Sequence, residues 1–394
     1  ERETGRGNFS ENALRLYQSA IEMYRSVSQD VNESEDALVG LAECYHYSAE
    51  IMAGQVVYLK NLGEEQVIKQ KVIFLSQQSA EAYKVLKERG VEPKEEICVN
   101  LGTTLATWAE NLEYPACLGV YQQALAEYNS GLQIGGANSD TMLNKGDLLQ
   151  SLAEVFNEAG DMEKARAAFI EANKTYDAAC AVTDSTMGDD FVGLLEHWGA
   201  SLLSFAGILE GEQQDQAIQQ SLNKLSLAVQ LDRSSTKGMN AIGDVHVLLS
   251  ERNSTCQAME RINFLEEALK IGYCAALTVD RNNLDAQVGY AETYMEMGKL
   301  YRGIGDQAKM GECFVTSARK YIAIVSDQNA WKEFGSVSER SEFLFNCACA
   351  CALAGQAQEA CQALQQCQTF GIVTREEIHQ DSDLSSLGTL LQNF

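Results

Sequence analysis

Few side chains in this sequence have the types and spacing that chemistry would require. The chain has four histidines: His46, His197, His246 and His379. None belongs to a His-x-x-x-His pair or a glutamate-flanked zinc motif, so no ligand set for hydrolytic metal chemistry is visible. The segment "NKGDLL" around Lys145 lacks the spaced glycines and the following Ser or Thr of a nucleotide-binding loop. We expect the histidines to be surface or packing residues, and no bound cofactor or metal.

The run "NCACACALAG" is the sharpest chemical feature. Cys347, Cys349 and Cys351 have the residue type of a metal or redox cluster. On a helix, however, Cys349 faces away from the other two. Cys347 and Cys351 also fall at positions where the helical pattern described below requires buried residues. We therefore favour packing, with a cysteine-based redox or metal-binding protein as an alternative.

Composition limits the classes of partner. The 394 residues carry a formal net charge of −26 and are 45% hydrophobic, which is enough for a folded core. A negative field repels phosphate backbones and anionic lipids, so nucleic acid is not an expected partner. No apolar run approaches the roughly 18 residues of a membrane span, so membrane insertion is not expected either. Carboxylate pairs carry almost no information in so acidic a chain.

The 12 cysteines indicate the compartment. They are spread through helical patterns of a large chain, which favours reduced thiols in a core over a disulfide framework. We therefore expect an intracellular reducing compartment, either the cytoplasm or an organelle matrix or stroma. Sequons at Asn8, Asn32, Asn173 and Asn253 argue the other way. The chain begins with Glu1 rather than Met, so we expect a segment upstream, either a targeting peptide or further chain.

The elements that must position any site are helices. With only 2 prolines, the chain permits long helices throughout. Around residues 149–172, apolar and small residues recur at steps of three and four on both sides of Gly160, which predicts two amphipathic helices joined by a tight turn. Gly160 suits the left-handed conformation that ends the first helix, and Asp161 can cap the second. The unit is a helical hairpin.

The hairpin positions read large, large, small, aromatic, glycine, small, aromatic, small. They are Leu149, Leu152, Ala153, Phe156, Gly160, Ala165, Phe169 and Ala172. This pattern closely resembles the tetratricopeptide repeat. Strong copies begin at Tyr294 and Leu344, and weaker first helices begin at Leu38, Cys98, Leu195 and Met239.

The repeat is longer than that of the family. Its first helices begin 44 to 60 residues apart, against about 34 in the standard unit. We expect "MAGQVVYLKNLGEEQVIKQKVIFLSQQ" to hold the excess as a helix extension and "LQIGGANSD" to hold it as a glycine-rich loop. The resemblance implies an all-α, right-handed superhelical solenoid of about seven stacked hairpins over residues 31–370. An N-terminal helix or cap would occupy 1–30, and a capping segment 371–394.

The resemblance also implies a binding surface, because first helices line a concave groove in this family. Candidate groove residues are Glu43, Glu96, Asn100, Glu154, Glu196, Asn240, Asp244 and Lys299, and the same face of the first helices also includes Asp147, Glu292 and Glu342. Most are acidic, so we expect a basic or amphipathic protein partner. The chaperone-tail subfamily uses Lys, Arg and Asn in three consecutive repeats. Asn100 is suitably placed, but no Lys or Arg surrounds it in the first three repeats, so this chain departs from that pattern.

We therefore expect a non-enzymatic scaffold that holds a protein partner or is a subunit of a larger assembly. An organellar complex assembly factor, in a plastid or mitochondrion, is a second hypothesis.

Overall fold

The computed structural model describes residues 13–24, 35–53, 62–183, 188–252, 257–327, 330, 331, 334 and 336–394. Within these residues the regular structure is helical throughout and contains no strand. The predicted all-α fold is thus confirmed. The near absence of proline and the three-and-four spacing of apolar residues are its local causes.

The helices are arranged in consecutive antiparallel pairs. In chain order they are α1 (13–24), α2 (Glu35–Ala53), α3 (Leu62–Arg89), α4 (Lys94–Glu110), α5 (Cys117–Gly135), α6 (Ser139–Glu158), α7 (Met162–Val182), α8 (Asp189–Gly207), α9 (Gly211–Leu231), α10 (Thr236–Arg252), α11 (Ala258–Glu267), α12 (Cys274–Val279), α13 (Leu284–Ile304), α14 (Gln307–Ser326), α15 (Val337–Leu353), α16 (Ala357–Phe370) and α17 (Arg375–Gln380), followed by a 3-10 helix (Ser382–Asn393). A π-helical segment, residues 268–273, joins α11 to α12. The first helices of the pairs are α2, α4, α6, α8, α10, α13 and α15.

The chain divides into two compact units. Unit 1 contains Glu1–Val56 and Gln66–Met187, and unit 2 contains Val57–Glu65 and Gly188–Phe394. The prediction of one continuous array over 31–370, with terminal caps at 1–30 and 371–394, stays a prediction.

The turn predicted at Gly160 is confirmed. Gly160, Gly305 and Gly355 have φ of +77°, +79° and +75°, the left-handed region in which glycine has no Cβ penalty. Each turn is closed by an amide bonding back to the last turn of the first helix, as Asp161 N donates to Phe156 O at 2.8 Å. The three hairpins α6–α7, α13–α14 and α15–α16 therefore share one turn geometry.

Small polar residues fix the distance between paired helices. Buried side chains of second helices donate to backbone carbonyls of first helices. These bonds are Ser79 Oγ to Ala42 O at 2.9 Å, Ser221 Oγ to Gly199 O at 2.7 Å, Ser317 Oγ to Ala291 O at 2.7 Å, and Cys367 Sγ to Ser341 O at 3.2 Å. Such bonds require the two backbones to approach closely, which the small residues on the first helices permit.

The C-terminal segment packs against the last hairpin. Ile378 and Leu384 are fully buried in the core that contains α15 and α16. Ser386 Oγ donates to Ala352 O, the carbonyl of a residue near the end of α15, at 3.0 Å. This packing covers apolar surface at the end of unit 2, as a cap would.

Two local predictions are wrong. The glycine-rich stretch at 132–140 is mostly helix, because α5 continues to Gly135 and only residues 136–138 separate it from α6. The registers of α4 and α10 also differ, and in α4 Gly102 receives the Tyr128 ring. The repeat pattern predicts Gly243 at the small position that Ala153 occupies, but Gly243 receives the Tyr273 ring as Gly146 receives the Tyr176 ring. The stretch at 52–78 is the predicted helix extension. Its residues 54–61 lie outside the described residues, and from Leu62 onward it belongs to α3, a helix of 28 residues.

Replacing Gly160 with valine should lower the free energy of unfolding by about 1 kcal/mol or more, because a β-branched residue resists a positive φ. Chemical denaturation of the full chain measures this. Gly119→Ala is the matched control, since neither glycine has a heavy atom within 4 Å of a built Cβ and Gly119 is helical without a positive φ. Gly160→Ala should destabilise the fold for the same reason as valine, whereas Gly119→Ala should be neutral or stabilising. Equal effects of Gly160→Ala and Gly119→Ala would contradict the assignment.

Candidate functional site

In unit 2, three first helices each place a carboxylate at an equivalent position. The hairpins α6–α7 and α13–α14 align without a gap, so Glu292 corresponds to Asp147. By the same turn alignment, Glu342 is the equivalent residue on α15. On α10 the equivalent is Asp244, because its neighbour Gly243 packs on a tyrosine ring as Gly146 does. The three residues Asp244, Glu292 and Glu342 are called the carboxylate row below.

A tyrosine of the second helix orients two of these equivalent carboxylates. In unit 1, Tyr176 OH donates to Asp147 Oδ1 at 2.7 Å. In unit 2, Tyr273 OH donates to Asp244 Oδ1 at 2.6 Å. Hydrogen bonds to an ionised acceptor are short and strong.

The rings reach these carboxylates because a glycine precedes each of them. A Cβ on Gly146 would lie 2.6 Å from the Tyr176 ring, and a Cβ on Gly243 would lie 2.8 Å from the Tyr273 ring. Any side chain at either position would push the ring away. The Gly-Asp pair on the first helix and the tyrosine on the second thus form one structural unit.

The carboxylate row lies in the walls of two adjoining cavities, each of about 460 Å³. Both cavities are lined by Asp244, Gly289, Glu292 and Asn346. The further acidic lining residues are Glu251, Glu296, Asp285, Glu339 and Glu342. Among the described residues, the lining includes no Lys or Arg.

The cavities also have apolar walls. One is lined by Leu203, Val247, Leu248, Leu265 and Met295, and the other by Leu284, Val288, Phe334 and Phe343. Together they form a concave surface that is apolar in part and negatively charged, and this surface is called the acidic cavity. Its chemistry suits a ligand with a hydrocarbon body and positive charges.

The surroundings of the acidic cavity disfavour the ionised form of two of its carboxyl groups. Burial raises the pKa of Glu292 to about 7, with further contributions from Glu342, Asp244 and Glu296. The pKa of Asp244 is also raised, mainly by burial and against the lowering effect of the Tyr273 hydrogen bond. Asp244 nevertheless keeps contact with solvent. A carboxylate that is open to water yet surrounded by protein is typical of a concave surface.

The structure places the predicted groove residues of unit 2 in different surroundings. Asp244, Glu292 and Glu342 line the acidic cavity. Glu196 accepts a hydrogen bond from Ser235 Oγ. Asn240 is buried and its Nδ2 donates to Asn283 Oδ1 at 2.9 Å.

Lys299 is half-buried, with Nζ 2.8 Å from Glu296 and 3.3 Å from Asp383. Burial lowers the pKa of Lys299, but these carboxylates outweigh it and the net shift is upward. Its charge is therefore largely balanced within the protein.

In unit 1, three predicted groove residues influence the pKa of one tyrosine. Burial raises the pKa of Tyr83, the carboxylates of Glu43 and Glu96 add to it, and a hydrogen bond with Asn100 opposes it. Glu154 lies elsewhere and accepts from Gln150 Nε2 at 3.0 Å. Whether any of these residues binds a partner stays a prediction.

The groove prediction included Asp147, Glu292 and Glu342, but it missed the tyrosines. A signal was present. Asp147 and Tyr176, Asp244 and Tyr273, and Glu292 and Tyr321 are each 29 residues apart. A recurrent acid-to-tyrosine spacing within a hairpin predicts that the two side chains meet.

The cysteine run lies in the core. Cys347, Cys349 and Cys351 are all at most 5% exposed. A hydrogen bond with Cys351 and burial raise the pKa of Cys347, and burial with Asp381 and Asp383 raises that of Cys349. Thiols of this kind stay protonated and unreactive.

In the part of the chain that the structure describes, all cysteines are free thiols, and no group of three or more His, Cys, Asp or Glu residues could hold a metal ion. The helices in these same ranges are also too short or too polar to cross a membrane.

Comparison with known proteins gives structural similarity alone. No protein-family profile and no curated protein matches the sequence. A tetratricopeptide repeat protein from Parabacteroides merdae is 12% identical with a TM-score of 0.44, covering 94% of this chain and 98% of its own. The S. pombe nuclear import adaptor Nro1 is 14% identical with a TM-score of 0.45, covering 75% and 99%. YrrB, a tetratricopeptide repeat protein with an unusual peptide-binding site, is 17% identical with a TM-score of 0.34, covering 64% and 96%. This chain is similar to such proteins in its repeated helical hairpins.

Glu292→Gln should stabilise the protein at pH 8. Because the pKa of Glu292 is raised in the folded state, that state holds the proton more tightly than the unfolded state, and stability contributed by Glu292 falls as pH rises from about 4.5 to 7. With allowance for solvent screening, we expect a gain of about 1–2 kcal/mol at pH 8 that disappears near pH 4.5. Urea denaturation at both pH values measures it. Glu212→Gln, on the exposed side of α9, is the control for loss of a surface charge. A pH-independent gain for Glu292→Gln would refute the shifted pKa.

The thiols of Cys347 and Cys351 should react with Ellman's reagent only after unfolding, because both are buried and the pKa of Cys347 is raised. The half-buried Cys180 and Cys361 are internal controls that should react faster. Stoichiometric zinc or iron in the purified protein, lost in the Cys347→Ser/Cys351→Ser variant, would instead support a metal or redox role.

Proposed function

We propose that this chain is a non-enzymatic protein-interaction scaffold that holds a basic or amphipathic segment of a protein partner in the acidic cavity of unit 2. The observation that carries the proposal is the lining of this cavity. Three successive first helices contribute carboxylates to one concavity, and the described lining contains no basic residue.

Charge supports a basic partner. Carboxylates held close together in a partly desolvated site repel one another, and the raised pKa of Glu292 reflects that repulsion together with burial. A partner cation would relieve it. The net charge of −26 adds a field that speeds the approach of basic ligands and makes association sensitive to salt.

Shape and apolar lining support an amphipathic segment. The leucine, valine and phenylalanine side chains beside the carboxylate row offer contact area to an apolar face. A helix or extended peptide that alternates basic and apolar residues would use both kinds of wall.

Unit 1 offers a second set of candidate residues, Glu43, Glu96 and Asn100, all of which influence the pKa of Tyr83. We include it in the proposal as a further contact region for the partner. Asn100 is already engaged by Tyr83, which disfavours the tail-binding role that the resemblance would give it.

A redox or metal-binding role gains no specific support. It requires accessible thiols, whereas Cys347, Cys349 and Cys351 are buried. The organellar assembly role, the reducing compartment and the identity of the partner stay predictions.

A Lys/Arg-rich amphipathic helical peptide should bind the full chain, and its affinity should fall as salt is raised from low to physiological concentration. An acidic chaperone-tail peptide should not bind. Fluorescence anisotropy titrations of the two labelled peptides at both salt concentrations measure this.

The variant Asp244→Asn/Glu292→Gln/Glu342→Gln should weaken binding of the basic peptide by about tenfold or more. Its matched control is Glu212→Gln/Glu260→Gln/Glu312→Gln, which removes the same charge from exposed positions on second helices. Equal affinity of the two variants, or salt-resistant capture of the acidic peptide, would overturn the proposed function.

A further inference from the structure

A carboxylate from a distant part of the chain is buried at the start of α15. Glu65, in the first turn of α3, is 5% exposed, and its Oε2 accepts a hydrogen bond from Val337 N at 3.2 Å. The two residues are 272 positions apart, and both belong to unit 2. Burying a carboxylate costs free energy unless hydrogen bonds and a cation compensate for it. A cation is therefore expected close to Val337.

Arg340 is that cation. It lies three residues after Val337, on the same face of α15, and is 4% exposed. Burial lowers the pKa of Arg340, and the carboxylates of Glu339 and Glu65 oppose that effect. Arg340 Nη2 donates to the backbone oxygen of Phe334 at 3.3 Å. Arg340 thus joins the surroundings of Glu65 to the segment that precedes α15.

The start of α15 is held by one local cap and one distant cap. Ser336 Oγ accepts a hydrogen bond from Glu339 N at 3.0 Å, as a preceding serine commonly does. Val337 N is one of the first amides of the helix, which have no partner within it, and Glu65 provides its acceptor. The positive end of the helix dipole also attracts the carboxylate. The position of this first turn therefore depends on a residue outside its own hairpin.

The beginning of α15 also forms one wall of the acidic cavity. Phe343 lines the cavity from α15, and Phe334 lines it from the preceding segment. The centres of these two rings are 4.7 Å apart, and Trp331 packs against them at 5.4 and 6.2 Å. Trp331, Phe334 and Phe343 are called the aromatic wall. Because Arg340 bonds the backbone of Phe334, a shift of the first turn of α15 would move both lining rings.

We propose that Glu65 is a positioning residue of the acidic cavity: by holding Val337 at the start of α15, it keeps the aromatic wall where an apolar side chain of the partner packs. This inference rests on the proposed function and assigns the apolar part of the recognition. Glu65 is buried and acts through α15, without touching the partner.

Apolar contacts depend on position more steeply than charge attraction does. A gap of about 1 Å already loses much of a van der Waals contact, whereas charges attract one another over a Debye length of about 8 Å at physiological salt. The rings of the aromatic wall are also tilted, with interplanar angles of 48°, 59° and 61°, so their contact area depends on orientation. Loss of Glu65 should therefore reduce the preference for apolar peptides and leave the attraction for basic ones.

The experiment uses the full chain and two Lys/Arg-rich helical peptides of equal charge. One has leucine and phenylalanine on its apolar face, and the other has glutamine at those positions. Fluorescence anisotropy at low salt gives the two affinities, and their ratio measures the apolar preference. We expect the unmodified protein to bind the apolar peptide about tenfold more tightly.

In Glu65→Ala and in Glu65→Asp this ratio should fall to about twofold or less, while the glutamine peptide binds as before. Glu65→Asp keeps the charge but withdraws the carboxylate from Val337 N by one methylene group. It separates position from charge, and it provides the test if the alanine variant does not fold. Glu81→Ala and Glu81→Asp are the matched controls, because Glu81 is an exposed carboxylate on the same helix, and both should keep the ratio.

A second measurement follows the aromatic wall directly. With fluorotryptophan incorporated, the fluorine NMR resonance of Trp331 is assigned by its loss in Trp331→Phe. It should shift in Glu65→Asp, while the resonances of Trp108 and Trp198 stay in place. A role of Glu65 in overall stability alone would not single out Trp331.

An unchanged ratio in both Glu65 variants, or an equal fall in the Glu81 variants, overturns the positioning role and leaves the scaffold intact. Equal loss of affinity for both peptides, an unmoved Trp331 resonance, or equal binding of the two peptides by the unmodified protein also overturns it. Failure of both peptides to bind the unmodified protein at low salt overturns the proposed function as well.

Discussion

The close approach of first and second helices at Gly146 and Gly243 determines where the charged groups of this protein lie. Each glycine admits a tyrosine ring from the second helix, and the tyrosine hydroxyl then reaches the carboxylate that follows the glycine. Packing at native density leaves little freedom in this arrangement. Because the helical hairpins recur along the chain, equivalent carboxylates on α10, α13 and α15 face one concavity in unit 2. The turns closed by positive-φ glycines keep the paired helices in the same relation.

The hairpin α13–α14 of unit 2 departs from this arrangement, and the departure has an energetic cost. Glu292 replaces the shorter aspartate, Tyr321 loses its partner, and a carboxyl group with a raised pKa remains in the wall of the cavity. Buried polar groups without partners destabilise a fold unless a ligand completes them. The nearby Lys299 is engaged by Glu296 and Asp383 and belongs to neither cavity lining. Functional sites commonly accept such local instability.

Much of this architecture could be predicted from the spacing of small and apolar residues. The pattern around Gly160 predicts both helices, the turn and its positive φ, since these depend on residues close in sequence. The register of α10 could not be predicted, because Gly243 fits two small positions and only the Tyr273 ring distinguishes them. The loop prediction for 132–140 is wrong because tertiary packing, with Gly131 and Gly135 against Val99 and Glu95, holds glycines in a helix that propensity disfavours. The cavity itself requires three helices to converge, which local spacing does not reveal, although the 29-residue acid-to-tyrosine interval indicates some of its residues.

On the proposed function, the carboxylate row of unit 2 contacts a basic partner segment. Carbodiimide labelling of carboxyl groups, read by mass spectrometry in the presence and absence of the Lys/Arg-rich peptide, tests it most directly. We expect Asp244, Glu292 and Glu342 to be protected in the complex, while exposed carboxylates on second helices, such as Glu212 and Glu312, are labelled equally in both states. Binding of the peptide with unchanged labelling of the carboxylate row would contradict it.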